Sequence, residues 1–137
     1  MKTDLHLVFS GKCREAFAFY EKAFNSKIQM CMTFGDAPEG TPVPPEAKDK
    51  VMHMSMPLGS MLLMGCDDPR DPNAGPKSIQ ISVSEENTDE VERIFDELKE
   101  GGSVQMPLGT TFWSPLFGMC TDQFGVGWMV SVPGPQM

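Results

Sequence analysis

His6 and His53 are the two histidines of this chain, the side chains that ordinarily exchange a proton near neutral pH. His53 alternates with Val51 and Ser55, and Met52, Met54 and Met56 make up the opposite face of the same run. A strand with that pattern puts His53 on its polar side. If that side lines a cavity, His53 is the general acid or base there; otherwise it is a structural histidine. The four cysteines, Cys13, Cys31, Cys66 and Cys120, form no Cys-x-x-Cys pair and no zinc-type spacing. Cys13 and Cys66 have no activating neighbours that would make them nucleophiles. Asp122 opens the tight turn Asp122-Gln123-Phe124-Gly125, where an aspartate accepts hydrogen bonds from its own turn backbone and so reads as structural. Phe112 and Trp113 are either buried structural aromatics or a surface on which a planar ligand stacks.

The composition limits what these residues can serve. The chain has 137 residues, 40% hydrophobic and 22% charged, which is globular composition at the size of one ordinary domain. A net charge of -8 without any Lys/Arg cluster argues against a nucleic-acid partner, which needs a basic footprint. No apolar run reaches the roughly 18 residues of a membrane span. Met1-Lys2-Thr3-Asp4 leads straight into a patterned strand and not into a signal peptide. Scattered cysteines point to reduced thiols in the cytoplasm, the alternative being two disulfides in a secreted domain. The 12 methionines are flexible apolar filler for a core or a pocket.

Hydrophobic period then places the elements. Leu5 to Phe9 is a short strand. Cys13, Ala16, Phe17, Tyr20 and Phe24 recur at helical spacing, and Asn25-Ser26 ends the stripe. Ile28 to Phe34 and Val51 to Met56 alternate as strands, and Leu58-Gly59-Ser60 turns the chain into Met61 to Gly65. The second half repeats the order. Ser78 to Val83 alternates, and Asn87 with Glu90 resembles a capping box. Val91, Ile94, Phe95 and Leu98 make a second helical stripe that Gly101-Gly102 stops. Short strands follow near Val104 to Met106, Leu116 to Thr121 and Gly127 to Val132. Asp36 to Lys50 is a proline-rich loop, and Asp67 to Lys77 is a linker between the halves. The prediction is an α+β fold: two βαβββ modules, about 1–66 and 78–134, within a single domain spanning 1–137.

Two such units in one short chain resemble the vicinal oxygen chelate superfamily of glyoxalase I, bleomycin-resistance proteins and extradiol dioxygenases, and more closely its PhnB-like branch. One motif is Phe9-Ser10-Gly11-Lys12-Cys13-Arg14-Glu15-Ala16-Phe17-Ala18-Phe19-Tyr20-Glu21-Lys22-Ala23-Phe24. The other runs from Thr111-Phe112-Trp113 through Asp122-Gln123-Phe124-Gly125 to Trp128-Met129. The resemblance implies a cupped eight-stranded mixed sheet with helices on its outer face, a cavity on its concave face, and a homodimer. On that fold Ser78, Gln80 and Ser82 face the cavity with Gly127, Met129 and Ser131, while Trp128, Val130 and Val132 face the helices.

Metal-using relatives take one ligand from each of four strands, commonly His or Glu. By position these fall on Leu5, within Met61 to Gly65, on Ser78 and on Met129, none of which supplies an imidazole or carboxylate. His6 adjoins the first position but lies one residue off, which turns it to the other face of its strand, between sheet and helix. The branch often carries a methyltransferase label, but the chain has no glycine-rich turn of the kind that opens a doubly wound cofactor-binding domain. The expectation is a small-molecule-binding protein without the usual metal site and with no cofactor. It takes an apolar or planar organic molecule in a cavity lined by Phe9, Gln80, Phe112, Trp113 and Met129, with His53 as polar or catalytic handle. The alternatives are an enzyme of the same superfamily, metal-independent or with unusual metal ligands, and an interaction module that uses the Asp36 to Lys50 loop.

Overall fold

A computed structural model of the chain describes residues 1–73, 75 and 79–134. Among these residues are eight strands and two α-helices, and the chain divides into two compact units, residues 1–75 and 76–137. Each unit is one βαβββ module, and each carries a four-stranded mixed sheet, so the fold is α+β.

The first unit contains β1 (Leu5–Phe9), α1 (Cys13–Phe24), β2 (Met30–Thr33), β3 (Val51–Leu58) and β4 (Met61–Asp67). Its sheet order is β1-β4-β3-β2, with β1 parallel to β4 and the other pairs antiparallel. The buried stripe of α1 is Cys13, Ala16, Phe17, Tyr20 and Ala23, one apolar face at helical spacing. Asn25 ends the helix in the left-handed conformation at φ 49°, which asparagine tolerates. The helix begins differently from most: Lys12 at its N-cap makes no side-chain cap. Instead Oδ1 of Asp67, the last residue of β4, accepts from the backbone N–H groups of Gly11 (2.9 Å) and Cys13 (3.0 Å), and its Oδ2 accepts from Val51 (3.1 Å). A residue that the sequence assigns to the linker thus caps the helix and ties it to β3.

The long loop after β2 is only partly irregular. Two short 3-10 turns, Phe34–Asp36 and Pro45–Ala47, lie within it. Backbone bonds from Gly35 to Lys48 (2.9 Å) and Phe34 to Lys50 (3.0 Å) clip its base together.

The second unit contains β5 (Gln80–Ser84), α2 (Thr88–Lys99), β6 (Ser103–Gly109), β7 (Leu116–Thr121) and β8 (Gly127–Val132), in sheet order β5-β8-β7-β6. Val91, Ile94, Phe95 and Leu98 are the buried stripe of α2. Asn87 caps this helix by accepting from Glu90 N–H at 3.1 Å, but the reciprocal half of the expected capping box is missing. Glu90 turns to Arg93 instead, at 2.6 Å. Pro107 stands in β6, an edge strand, where the register with β7 shifts between Met106 and Gly109, a place that tolerates proline.

Each sheet has a face turned to its helix and an open face. A Cβ placed on Gly65 of β4 would lie 2.5 Å from the Phe17 ring, and one on Gly118 of β7 would lie 2.6 Å from the Phe95 ring. The two glycines therefore mark the helix face and let an aromatic ring sit directly on the strand.

Candidate functional site

Register from Gly65 fixes the open face of the first sheet. Leu7 pairs with Gly65, so Leu5, Leu7 and Phe9 point to the helix, and His6 and Val8 point away. This reverses the phase expected for β1. Leu5 is not on the open face, and His6 is not between sheet and helix. Phe9, expected in the ligand cavity, is 2% exposed in the core. The physical reason is plain: Leu5, Leu7 and Phe9 form the more apolar of the two alternating sets, and burial follows apolar area.

His53 lies on the open face with Ser55, since their neighbour Met54 pairs with Gly65. Its ring centre is 6.1 Å from that of His6, with 31° between the ring planes. Partial burial, and after it the charge of His53, lowers the pKa of His6. The chain's two histidines, far apart in sequence, therefore meet on one surface. Met64 is the register partner of His6, and Met32 that of His53. Beside them the proline-rich loop borders a recess of about 440 Å³ lined by Val8, Phe34, Pro42, Pro44, Cys66 and Arg70 among others.

In the second unit Gly118 pairs with Val130, and Trp128 and Val130 are fully buried on the helix face. The open face carries Gln80, Ser82 and Ser84 on β5, Gly127, Met129 and Ser131 on β8, and Phe117 and Met119 on β7. Gln80 is exposed and Met129 half-buried. Trp113 packs edge-on against Phe117, with ring centres 5.3 Å apart, and Phe112 packs edge-on against Trp113 at 4.7 Å. Phe112 itself is 92% exposed. These three rings form a ladder from solvent down to the sheet.

The loop that carries the ladder is held at its base. Ser114 is buried, and its hydroxyl bonds the carbonyls of Leu116 (2.8 Å) and Val132 (2.6 Å). Thr111 N–H donates to the Ser114 carbonyl at 2.9 Å. Next to Phe117 in register stands Ser131, which is fully buried and whose Oγ has no hydrogen-bond partner among the described residues. A buried hydroxyl without a partner is costly. Sequence reasoning placed Ser131 toward the cavity without assigning it a role, and it missed Phe117 and Ser114. Only the pairing of β7 with β8 makes them neighbours of the aromatic loop.

Asp122 is a structural turn residue. Its Oδ1 accepts from Phe124 (2.8 Å) and Val126 (3.0 Å) N–H groups, and its Oδ2 accepts from the Trp128 indole at 2.8 Å. All four cysteines are free thiols. Burial first, then the Asp122 charge, pushes Cys120 up to about 11. Burial and then the Asp67 charge raise Cys13 and Cys66 as well. These sulfurs stay protonated near neutral pH and are poor nucleophiles.

The hard divalent ion that metal-using relatives hold does not fit these residues. With Leu5 facing the helix, β1 brings a single imidazole, His6, to its open face, while Met129 offers a thioether and Ser78 lies outside the described residues. The open-face residues of β4 are Leu62, Met64 and Cys66. Among the described residues, no three His, Cys, Asp or Glu side chains gather in a group that could hold a metal. No described helix is long and apolar enough to cross a membrane.

Comparison with known proteins agrees with the topology. The sequence is 27% identical to Protein YjdN of Escherichia coli (strain K12), over 96% of this chain and 95% of the relative. Among solved structures, protein PA1353 of Pseudomonas aeruginosa superposes with a TM-score of 0.87 at 45% identity, covering 97% of this chain and 98% of that one. The PhnB protein of Bacillus cereus gives 0.81 at 28% identity, covering 96% and 99%. The family model of the Glyoxalase/Bleomycin resistance protein/Dioxygenase superfamily matches residues 4–130. With a double βαβββ fold and matches along nearly its whole length, the chain belongs to this superfamily, in its PhnB-like branch.

Proposed function

We propose that this protein binds a small, planar and largely apolar organic molecule on the open face of its second sheet, against Trp113 and Phe112 and beside Met129. The observation that carries the reading is the aromatic ladder ending next to the orphaned Ser131 hydroxyl. An exposed aromatic ring held by a pinned loop offers stacking area at small entropic cost. A buried hydroxyl lacking a protein partner is satisfied by a ligand's polar group, which gives orientation. Gln80 and Ser82 on β5 supply further polar contacts at the margin.

Trp113 also supplies the test, because the other tryptophan, Trp128, is fully buried with its indole already bonded to Asp122. A panel of planar aromatic compounds should include one that quenches tryptophan fluorescence and raises the melting temperature. Trp113→Phe should abolish most of the quenching, and Trp113→Ala should weaken binding roughly tenfold or more. A panel without any binder, or binding unchanged in Trp113→Ala, would sink the proposal.

A second reading, an enzyme of the superfamily with His53 as acid or base, draws on the neighbouring imidazole of His6 and its lowered pKa. His53→Ala should then abolish the activity without moving the melting temperature; a lowered melting temperature would mark a structural residue. Free thiols on all four cysteines support a cytoplasmic location. The homodimer expected for this branch is part of the proposal and is checked by native mass spectrometry.

A further inference from the structure

Charge is distributed unevenly along this chain. Charged residues make up 22% of it, yet residues 101–137 hold a single one, Asp122. That segment contains β6, the loop 110–115 with its aromatic ladder, β7 and β8. Strand β5 has no charged residue either. The other described charges of this unit fall at 85–100, on α2 and its ends, and α2 packs on the opposite face of the sheet. Asp122 does not break the pattern, because it is buried and its carboxylate is bonded to the indole of Trp128, on the helix face. The open face of the second sheet thus carries no charged side chain among the described residues. The first sheet differs, since it turns His6 and His53 to its open face.

A charge-free face discriminates between ligands of one shape. An ion that leaves water for such a surface loses hydration and finds no counter-charge, which costs far more than seating a neutral molecule. A carboxylate meets the further repulsion of a net charge of -8. An ammonium group can lie over the Trp113 ring, but at an exposed ring that attraction is smaller than the hydration lost. The polar groups that remain are neutral. Thr121 is already bonded to Gln105 at 3.0 Å. The buried Ser131 hydroxyl, in register with both Ser84 and Phe117, has no hydrogen-bond partner among the described residues. A hydroxyl both donates and accepts, so it matches a phenol or a carbonyl.

Granting the site on the second sheet proposed above, we infer that its ligand is an uncharged aromatic molecule with a neutral oxygen, hydroxyl or carbonyl, at the end that reaches Ser131. Ionised aromatics of the same shape are excluded. The ring lies against Trp113, the oxygen meets Ser131, and no group on the face answers a charge.

The test is equilibrium dialysis of the full chain near neutral pH against a set of naphthalenes substituted at the same ring position. Naphthol and acetonaphthone should bind, and methylnaphthalene, which has the ring but no oxygen, should bind about tenfold more weakly. Naphthoate and naphthylmethylammonium should bind roughly a hundredfold more weakly than naphthol. Ser131→Ala should bring naphthol down to the affinity of methylnaphthalene and leave methylnaphthalene itself unchanged. Met129→Lys, which sets an ammonium on the open face, should raise the affinity for naphthoate at least about tenfold. Three results, each in a protein where Trp113→Ala still weakens binding, would overturn the inference and leave the site standing: naphthoate as tight as naphthol, methylnaphthalene equal to both oxygen compounds, or no gain for naphthoate in folded Met129→Lys. Absence of binding across the whole set, or binding indifferent to Trp113→Ala, would instead remove the site and the inference with it.

Discussion

The indole N–H of Trp128 donates a 2.8 Å hydrogen bond to Oδ2 of Asp122, so the largest fully buried side chain of the closing strand is fixed by the turn that leads into it. The same carboxylate holds the Phe124 and Val126 N–H groups through Oδ1. Asp122→Ala leaves buried donors unsatisfied and should cost about 2–4 kcal/mol in urea unfolding. Asp122→Asn keeps the Oδ1 role but sets an amide N–H₂ against the indole N–H, so it should cost about 1–3 kcal/mol. Loss of Trp128 near-ultraviolet circular dichroism should accompany both. Unchanged stability in Asp122→Ala would mean that the turn closes without the side chain.

Ser131→Ala should separate folding from function. Removing a buried hydroxyl that has no partner among the described residues should raise stability by about 1–2 kcal/mol. If that hydroxyl serves a ligand, the same variant should bind the ligand more weakly. A fall in melting temperature would show that the hydroxyl already has a use in the fold.

Stability should depend on pH through His6. In the unfolded chain it titrates near 6.5, whereas in the fold partial burial, and secondarily the charge of His53, lowers its pKa. The unfolded state then binds more protons, so the contribution is complete above about pH 6.5 and is lost as pH falls through the depressed folded value. His6→Gln should flatten the fall in urea midpoint between about pH 7 and pH 5 relative to the unsubstituted protein. His53→Gln should move the His6 pKa upward, as followed by NMR titration of the ring protons. A His6 titration indifferent to His53→Gln would contradict their coupling.

Gly118→Ala tests the contact between β7 and α2. Its Cβ would lie 2.6 Å from the Phe95 ring and 2.9 Å from a Leu108 methyl, so ring or strand must shift. Overpacking of this kind should cost about 1–3 kcal/mol. Gly65→Ala, with its Cβ 2.5 Å from the Phe17 ring, should cost a similar amount. Wild-type midpoints in both variants would mean that the rings retreat freely.

The sequence alone determined the order of elements and the buried helix stripes, because the α-helical period and the strand alternation are local properties written in neighbouring residues. Val91, Ile94, Phe95 and Leu98 needed no tertiary information to be read as the inner face of α2. Asp122 was legible for the same reason, since two of its partners lie within its own turn. The face of β1 was not legible with the same ease. A five-residue strand has two possible phases, and a family position suggested the wrong one, although Leu5, Leu7 and Phe9 are the more apolar set. Asp67 looked like linker because its three N–H partners, Gly11, Cys13 and Val51, are distant in sequence. Likewise His6 with His53, and Ser131 with Phe117, became neighbours only through strand pairing. Local period chooses which side chains share a face; only the tertiary structure, through sheet order and register, decides which residues of different strands meet on it.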